Sequence, residues 1–506
     1  KIKRRMMMKE RSQTKAITYP RMSALKSWMN IKRQSIMQAG TNWLQRSTTA
    51  EGPNPYLEGV FAPVSETEQK HFEVVGEIPQ QLNGIFLRIG PNPMESPNPK
   101  LYHWFSGDGM IHGLRIESGK ATWFKSRYIA TDHVQKKRQQ KTIQGDRRGP
   151  GDVVNTNAFF HANKIWAMVE AGTFPVCLDL ELNTERYQLL NSDADLPFTA
   201  HPHLDPKTQH LHAICYDALN TQNIFYEVFD ELGALIHWAQ IPVKHGPMIH
   251  DCAITEQDVI IFDFPVTFSK EQVLKGSPMP YEWNPQHAAR IGIMPKYGNA
   301  EQVIWIDLER CFVFHAANAY REKNSSENDG VEHQDIIILD LVVHDRMFEQ
   351  SKIGPFEQQK TQLERWTIDL KNQNVIRKIL DEQVQEFPRI DERFTGVKHR
   401  YIYSVGYDSE VMNKANQLFV HDVISDQTSS YIYGDEWLSG EVVFVPESKT
   451  APEGCGYLMS YVHHVDAKDS KIMILKVNGL AVDLQAEIRL QGRVPLGFHA
   501  NWVDLS

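Results

Sequence analysis

The sequence predicts an all-β protein closed on itself as one large structure. Three observations predict it. From about residue 55 onward the chain falls into runs of roughly four to eight β-branched, aromatic or aliphatic residues, as at 84–88, 164–169, 259–265, 335–343, 401–405, 456–462 and 471–477. Gly, Pro, Asn or Asp punctuates most of these runs. Convincing helical spacing is scarce in the same region, with one candidate at 345–353. So many short strands leave edges that must be hidden, and a propeller hides them at this size by radial repetition. No repeat motif is visible, so periodicity alone gives no blade count.

The first 50 residues read as an appended arm, and residues 51–506 as a single domain. Within the first 46 there are twelve Lys or Arg and one acid, Glu10. The arm therefore carries +11 of a total of −9, which leaves −20 on the rest. Met22, Leu25, Met29 and Ile36 follow helical spacing opposite Lys26, Lys32 and Arg33, the pattern of a basic amphipathic helix that can lie on an anionic membrane. The plainer reading is a loose extension or a helix docked on the body. Residues 1–16 are expected to be disordered, and 135–148 to be a solvated basic loop.

A negative total charge gives no reason to expect nucleic acid as a partner. The five cysteines are far apart and include no CxxC pair, so neither a disulfide framework nor a zinc–thiolate site is indicated. A reducing, cytoplasmic compartment fits them. No apolar run reaches eighteen residues, so no spanning helix is expected, and peripheral contact is the membrane role left open.

The chain holds 21 histidines, and a lone one is usually an ordinary core or surface residue. Four sit in distinctive strings: His201 in FTAHP, His250 in MIHDCAIT, His315 in FVFHAANAYRE and His499 in PLGFHANW. Apolar and small neighbours make an unpaired imidazole costly to bury, and a metal removes that cost. Ligands so far apart in sequence must converge from different parts of the fold. Imidazole suits Fe, Cu, Ni and Zn alike, so the donors alone do not choose the metal.

These four contexts, with NGIFLRIGPNP at 83–93, WFSGDGMIHG at 104–113, the segment 155–172 and EFP at 386–388, resemble the carotenoid cleavage oxygenases from about Asn54 to Trp502. The resemblance implies a seven-bladed β-propeller capped by loops and short helices. It implies iron(II) on the axis, held by His201, His250, His315 and His499 with no carboxylate ligand. Glu170, Glu386 and Glu441 match family positions that orient His250, His315 and His499, leaving His201 without such a partner. Thr156 matches a threonine whose methyl group sits beside an open coordination position. The implied activity is dioxygenase cleavage of one C=C bond into two carbonyl products.

Ser106, Cys252 and Ala500 depart from commoner family residues, which puts substrate fit in doubt more than iron binding. Stilbene-cleaving relatives use a lysine shortly after a segment like FKSRYI at 124–129, and no lysine follows here before Lys136. An apolar polyene, carotenoid or apocarotenoid, is therefore the expected substrate with dioxygen. A lignin-derived stilbene or phenylpropene is the alternative. A non-cleaving carotenoid-binding protein and an isomerohydrolase are readings of another kind.

Overall fold

Seven sheets of four to six strands, antiparallel but for the short parallel pairing of Arg186–Tyr187 with Gln144–Gly145, are arranged as the blades of a propeller. The computed structural model describes residues 17–47, 52–322, 335–351, 354, 360–407, 415–466 and 468–506. The expected disordered stretch 1–16 lies outside the described residues. From blade one to blade seven the innermost strands are Ala500–Asp504, Asn157–His161, His203–Leu204, Cys252–Ile254, Ala316–Arg321, Gln385–Arg389 and Val443–Pro446. Neighbouring inner strands touch around the axis.

Blades pack face to face, so their middle strands are buried on both sides and read as nearly continuous apolar runs. Ile336–His344 (IIILDLVVH) is one; its buried Asp340 pairs with Arg365 at 2.7 Å. Outer strands alternate instead, as in Asn374–Asp381, where Ile376 and Ile379 face solvent. Trp366, Phe262 and Ile214 belong to one core cluster, and Phe86, Tyr461 and Ile474 to another that joins blades seven and one. Each such side chain contributes about 2–3 kcal/mol when fully buried.

Closure of the ring uses both ends of the described chain. Ala500–Asp504 pairs with Gly84–Pro91, Arg88 lying opposite Ala500. Val74–Gly76 in turn joins the outer strand Ala481–Arg489 of blade seven. N-terminal and C-terminal segments thus fasten one seam from outside and inside.

Every inner strand starts at the same end of the axis. Alternation of direction then puts 92–108, 129–156, 169–175, 217–222 and 264–288 together at that end as a cap. Among the described residues three α-helices accompany the propeller: α1 (Ala24–Ser47), α2 (Asp132–Lys137) and α3 (Lys270–Leu274). Thr131 Oγ1 caps α2 by accepting from Val134 N, and Ser269 Oγ caps α3 by accepting from Gln272 N.

Two local expectations are corrected. No helix forms over the described residues 345–351. Asp345 exchanges backbone and side-chain hydrogen bonds with Lys360, and Phe348 adopts φ +55°, which a helix does not allow. The stretch 135–148 is not simply a solvated loop either. It begins inside α2, and Arg147 is buried against Asp132 at 2.6 Å with its guanidinium 4.2 Å from the Tyr187 ring.

Candidate metal centre

His201, His250, His315 and His499 each stand one or two residues ahead of an inner strand, on blades three, four, five and one. Because those strands start at one end of the axis, the four imidazoles converge although 298 residues of sequence separate the first from the last. Their candidate ligand nitrogens lie within 4.8 Å of one another, and ring centroids are 4.4–5.1 Å apart.

Carboxylates set the tautomers. Glu386 Oε2 lies 2.6 Å from His315 Nδ1, and Glu441 Oε1 lies 3.2 Å from His499 Nδ1. An ionised carboxylate only accepts, so the proton sits on Nδ1 and Nε2 keeps a bare lone pair. Glu170 Oε1 is 2.6 Å from His250 Nδ1, a contact bent too far from the N–H direction to be a good hydrogen bond. His201 has no carboxylate partner among these contacts, and its Nε2 is buried without a hydrogen bond.

One distance tests whether these residues fit a metal. Nε2 of His250 and Nε2 of His315 are 3.2 Å apart. Where both protons sit on the Nδ1 side, two lone pairs face each other there; a proton on either Nε2 makes the contact a hydrogen bond. A cation among the four nitrogens suits the first arrangement and would satisfy the orphaned Nε2 of His201 as well.

Local electrostatics divide the four. Burial and the neighbouring imidazoles push His201 well below its ordinary value, and burial lowers His499, which keeps both neutral. At His315 burial is outweighed by Glu386, which raises it. Burial alone would raise the two carboxyls. His315 and His344 outweigh it at Glu386, which is held far below the carboxylate range, and Arg389 and His499 hold Glu441 at about 2.

The two sides of the cluster differ in chemistry. Toward the cap, Phe314 lies 4.9 Å from the His250 ring and Phe387 stacks on His315 at 5.2 Å. Phe105, Phe348 and Phe498 extend this aromatic roof. On the opposite side a cavity of about 300 Å³ reaches His201, His315 and His499 from the far end of the axis, past Ala317, Asn318 and Arg389. Thr156 opens the inner strand of blade two. Its carbonyl accepts from His499 N, and its Oγ1 bonds Asn155 Oδ1 at 3.2 Å.

A model of the family described as retinal pigment epithelial membrane protein matches residues 61–504. The carotenoid cleavage oxygenase of Mycobacterium tuberculosis is 34% identical over 508 residues, covering 90% of this chain and 98% of its own. The chain belongs to the carotenoid cleavage oxygenase family. Isoeugenol monooxygenase of Pseudomonas putida is 30% identical over 90% of this chain and 99% of that relative. The crystal structure of Pseudomonas brassicacearum lignostilbene dioxygenase superposes with a TM-score of 0.78 at 25% identity, covering 90% of this chain and all of that one. This carotenoid cleavage oxygenase is therefore an oxygenase enzyme.

Several residues that shape the family site here escape a reading of sequence alone. Each orienting glutamate has a second partner: Tyr216 Oη donates to Glu170 at 2.8 Å, His344 Nε2 lies 2.7 Å from Glu386, and Arg389 Nη1 donates to Glu441 at 3.1 Å. Asp251 accepts from Ala316 N at 2.9 Å and Cys252 N at 2.7 Å, and lies 2.7 Å from His203 Nε2. It thereby ties together the segments that carry His201, His250 and His315. Only its place beside His250 could have pointed to it. Of the departures from the family pattern, Ala500 keeps its backbone role, its N–H donating to Glu441 at 2.6 Å.

Proposed function

We propose that this enzyme is an iron(II)-dependent dioxygenase that cleaves one C=C bond of a carotenoid or apocarotenoid into two carbonyl products. The observation that carries it is the cluster of four imidazoles whose candidate ligand nitrogens lie within 4.8 Å of one another, with His201 Nε2 buried and without a hydrogen bond. His201, His250, His315 and His499 would hold the iron through Nε2. Iron(II) would supply redox activation of dioxygen and Lewis acidity. Glu386 and Glu441 keep the His315 and His499 rings in one orientation by holding their Nδ1 protons, and Glu170 stands 2.6 Å from His250 Nδ1. Thr156, through its methyl group, narrows the space beside the metal. Phe105, Phe314, Phe348, Phe387 and Phe498 hold a flat, electron-rich polyene and exclude water from the bond to be broken. Such a substrate is drawn from a membrane surface, and five unpaired cysteines suit a cytoplasmic location.

A lignin-derived stilbene or phenylpropene is the second reading, supported by the likeness to isoeugenol monooxygenase and lignostilbene dioxygenase. One experiment separates the two. The purified protein is assayed for bound iron, then incubated in air with an apocarotenal and separately with a hydroxystilbene or isoeugenol, with products read by mass. Shortened aldehydes from the apocarotenal, abolished by His315→Ala, are the expected result. Cleavage of the phenolic substrates alone would reassign the substrate. A protein without iron and without product would sink the proposal.

A further inference from the structure

Face-to-face packing of the blades leaves the axis as the way to the four imidazoles in the folded protein, from the cap end or from the far end. The two ends offer an incoming ion different surroundings. At the cap end, the side chains of Phe105, Phe314, Phe348, Phe387 and Phe498 roof the rings and present no oxygen or nitrogen. At the far end, the cavity of about 300 Å³ has room for several water molecules. His201, His315 and His499 line its inner end, and Nε2 of His201 is buried without a hydrogen bond.

The wall of this cavity carries the carboxylates of Asp251, Glu392 and Glu441 and the ring of His203. Asp251 and Glu441 are almost wholly buried, whereas Glu392 is exposed. His203 Nε2 lies 2.7 Å from Asp251 Oδ1, so two groups able to replace an ion's water stand together just beyond His201. Two arginines in the same wall do not reverse its sign. Arg389 donates to Glu441 at 3.1 Å and to Glu392, and Arg393 Nε donates to Asp391 at 2.9 Å. Gln209 stands exposed at the mouth. Ala317, on the inner strand of blade five, contributes only a methyl group to the wall.

We propose that this polar channel is the path by which a divalent metal ion reaches the four imidazoles in the folded protein, so that ion and apolar substrate enter from opposite ends of the axis. A divalent cation travels hydrated, and it sheds water at low cost where oxygen or nitrogen donors take the water's place. Glu392, Asp251, His203 and Glu441 supply such donors between the mouth and the imidazoles, and the aromatic roof does not. An excess of carboxylate also draws cations into a narrow cleft. Separate entrances let the roof stay dry over the substrate while the far end stays wet. The inference rests on the reading of the four imidazoles as a metal centre and is independent of which substrate the roof holds.

The test follows metal uptake by the full-length protein after a chelator has stripped it. Iron(II) without oxygen, and separately cobalt(II), is added, and unbound ion is captured at intervals by a chromogenic chelator. Ala317→Phe narrows the channel and should slow uptake about tenfold or more while reaching the wild-type metal content in the end. Gln209→Glu should speed uptake and Gln209→Lys should slow it, each about twofold, and salt should erase both effects. This exposed position keeps the test decisive if Ala317→Phe does not fold. Phe105→Ala, which opens the roof, should leave the rate unchanged. Wild-type rates in both Gln209 variants and in folded Ala317→Phe would overturn the inference. So would faster uptake by Phe105→Ala, which would assign entry to the cap. Uptake through the channel by a protein that cleaves no polyene would defeat the proposed activity and leave this inference standing. A protein that takes up neither ion would defeat the metal centre and the inference with it.

Discussion

At the scale of single residues, the site depends on charge balance one layer behind the imidazoles. Glu441 is almost wholly buried, and its cation is Arg389, which also donates to Ala500 O at 3.1 Å and Asn501 Oδ1 at 3.2 Å. Arg389→Met should therefore cost about 3 kcal/mol in urea unfolding, because it leaves a buried carboxylate unpaired. The same variant should bind metal about 10–100-fold more weakly in a chelator competition, since Glu441, the partner of the His499 ring, is no longer held in place. Unchanged metal affinity would remove Arg389 from the site. Three other buried histidines predict acid sensitivity. Burial depresses His103 and His212 to about 3 and His421 to about 4, against an ordinary value of 6.5. A depressed folded value means stability is present above about 6.5 and lost as pH falls toward 3–4, because only the unfolded chain takes up the protons. Each histidine should contribute on the order of 2 kcal/mol of loss by pH 5. Urea midpoints that do not move between pH 7.5 and pH 5.5 would contradict this. The candidate ligand histidines were legible because each stands in a distinctive string of small and apolar residues. Tyr216 and His344 were not, because each is an ordinary strand residue whose partner is set by the approach of one blade to the next.

Elements show the same division between local pattern and tertiary context. Strands such as 84–88 and 401–405 were visible because β-branched and aromatic runs end at turn residues, and both occur as Gly84–Pro91 and Tyr401–Gly406. Helix α1 was visible too, but spacing alone does not say which side meets the protein. That choice was made by the carbonyls of Arg148, Gly149 and Gly151, all three of which Gln34 reaches from the polar side of the helix. Gln34→Leu should therefore release α1 without unfolding the propeller, seen as faster proteolysis ahead of residue 52 with an unchanged melting temperature. The closing strand Ala500–Asp504 should behave in the opposite way. Removing residues 500–506 exposes the inner edge of Gly84–Pro91 along its whole paired length. Aggregation or loss of far-ultraviolet signal is expected, and a well-folded truncation product would show that blade one closes by other means.

For the whole molecule, the number of blades was hidden because the loops between strands differ so much in length. The loop 264–288 holds a hairpin and α3, whereas only Ala162 and Asn163 join the first two strands of blade two. The candidate ligands come from blades one, three, four and five, so a bound metal links four separately packed sheets. Removing it should lower the melting temperature by several degrees. A cation present at a thousand times its dissociation constant stabilises the folded state by about 4 kcal/mol. Melting curves that coincide with and without chelator would argue against a metal spanning the blades. The position of His499 also bears on how the protein is made. The last imidazole stands beside the strand that shuts the ring, so a chain emerging from the ribosome has at most three of the four until the strand that closes blade one is made. Four-imidazole coordination must then wait for ring closure, and growth without iron should accumulate folded apoprotein that iron added later can still fill.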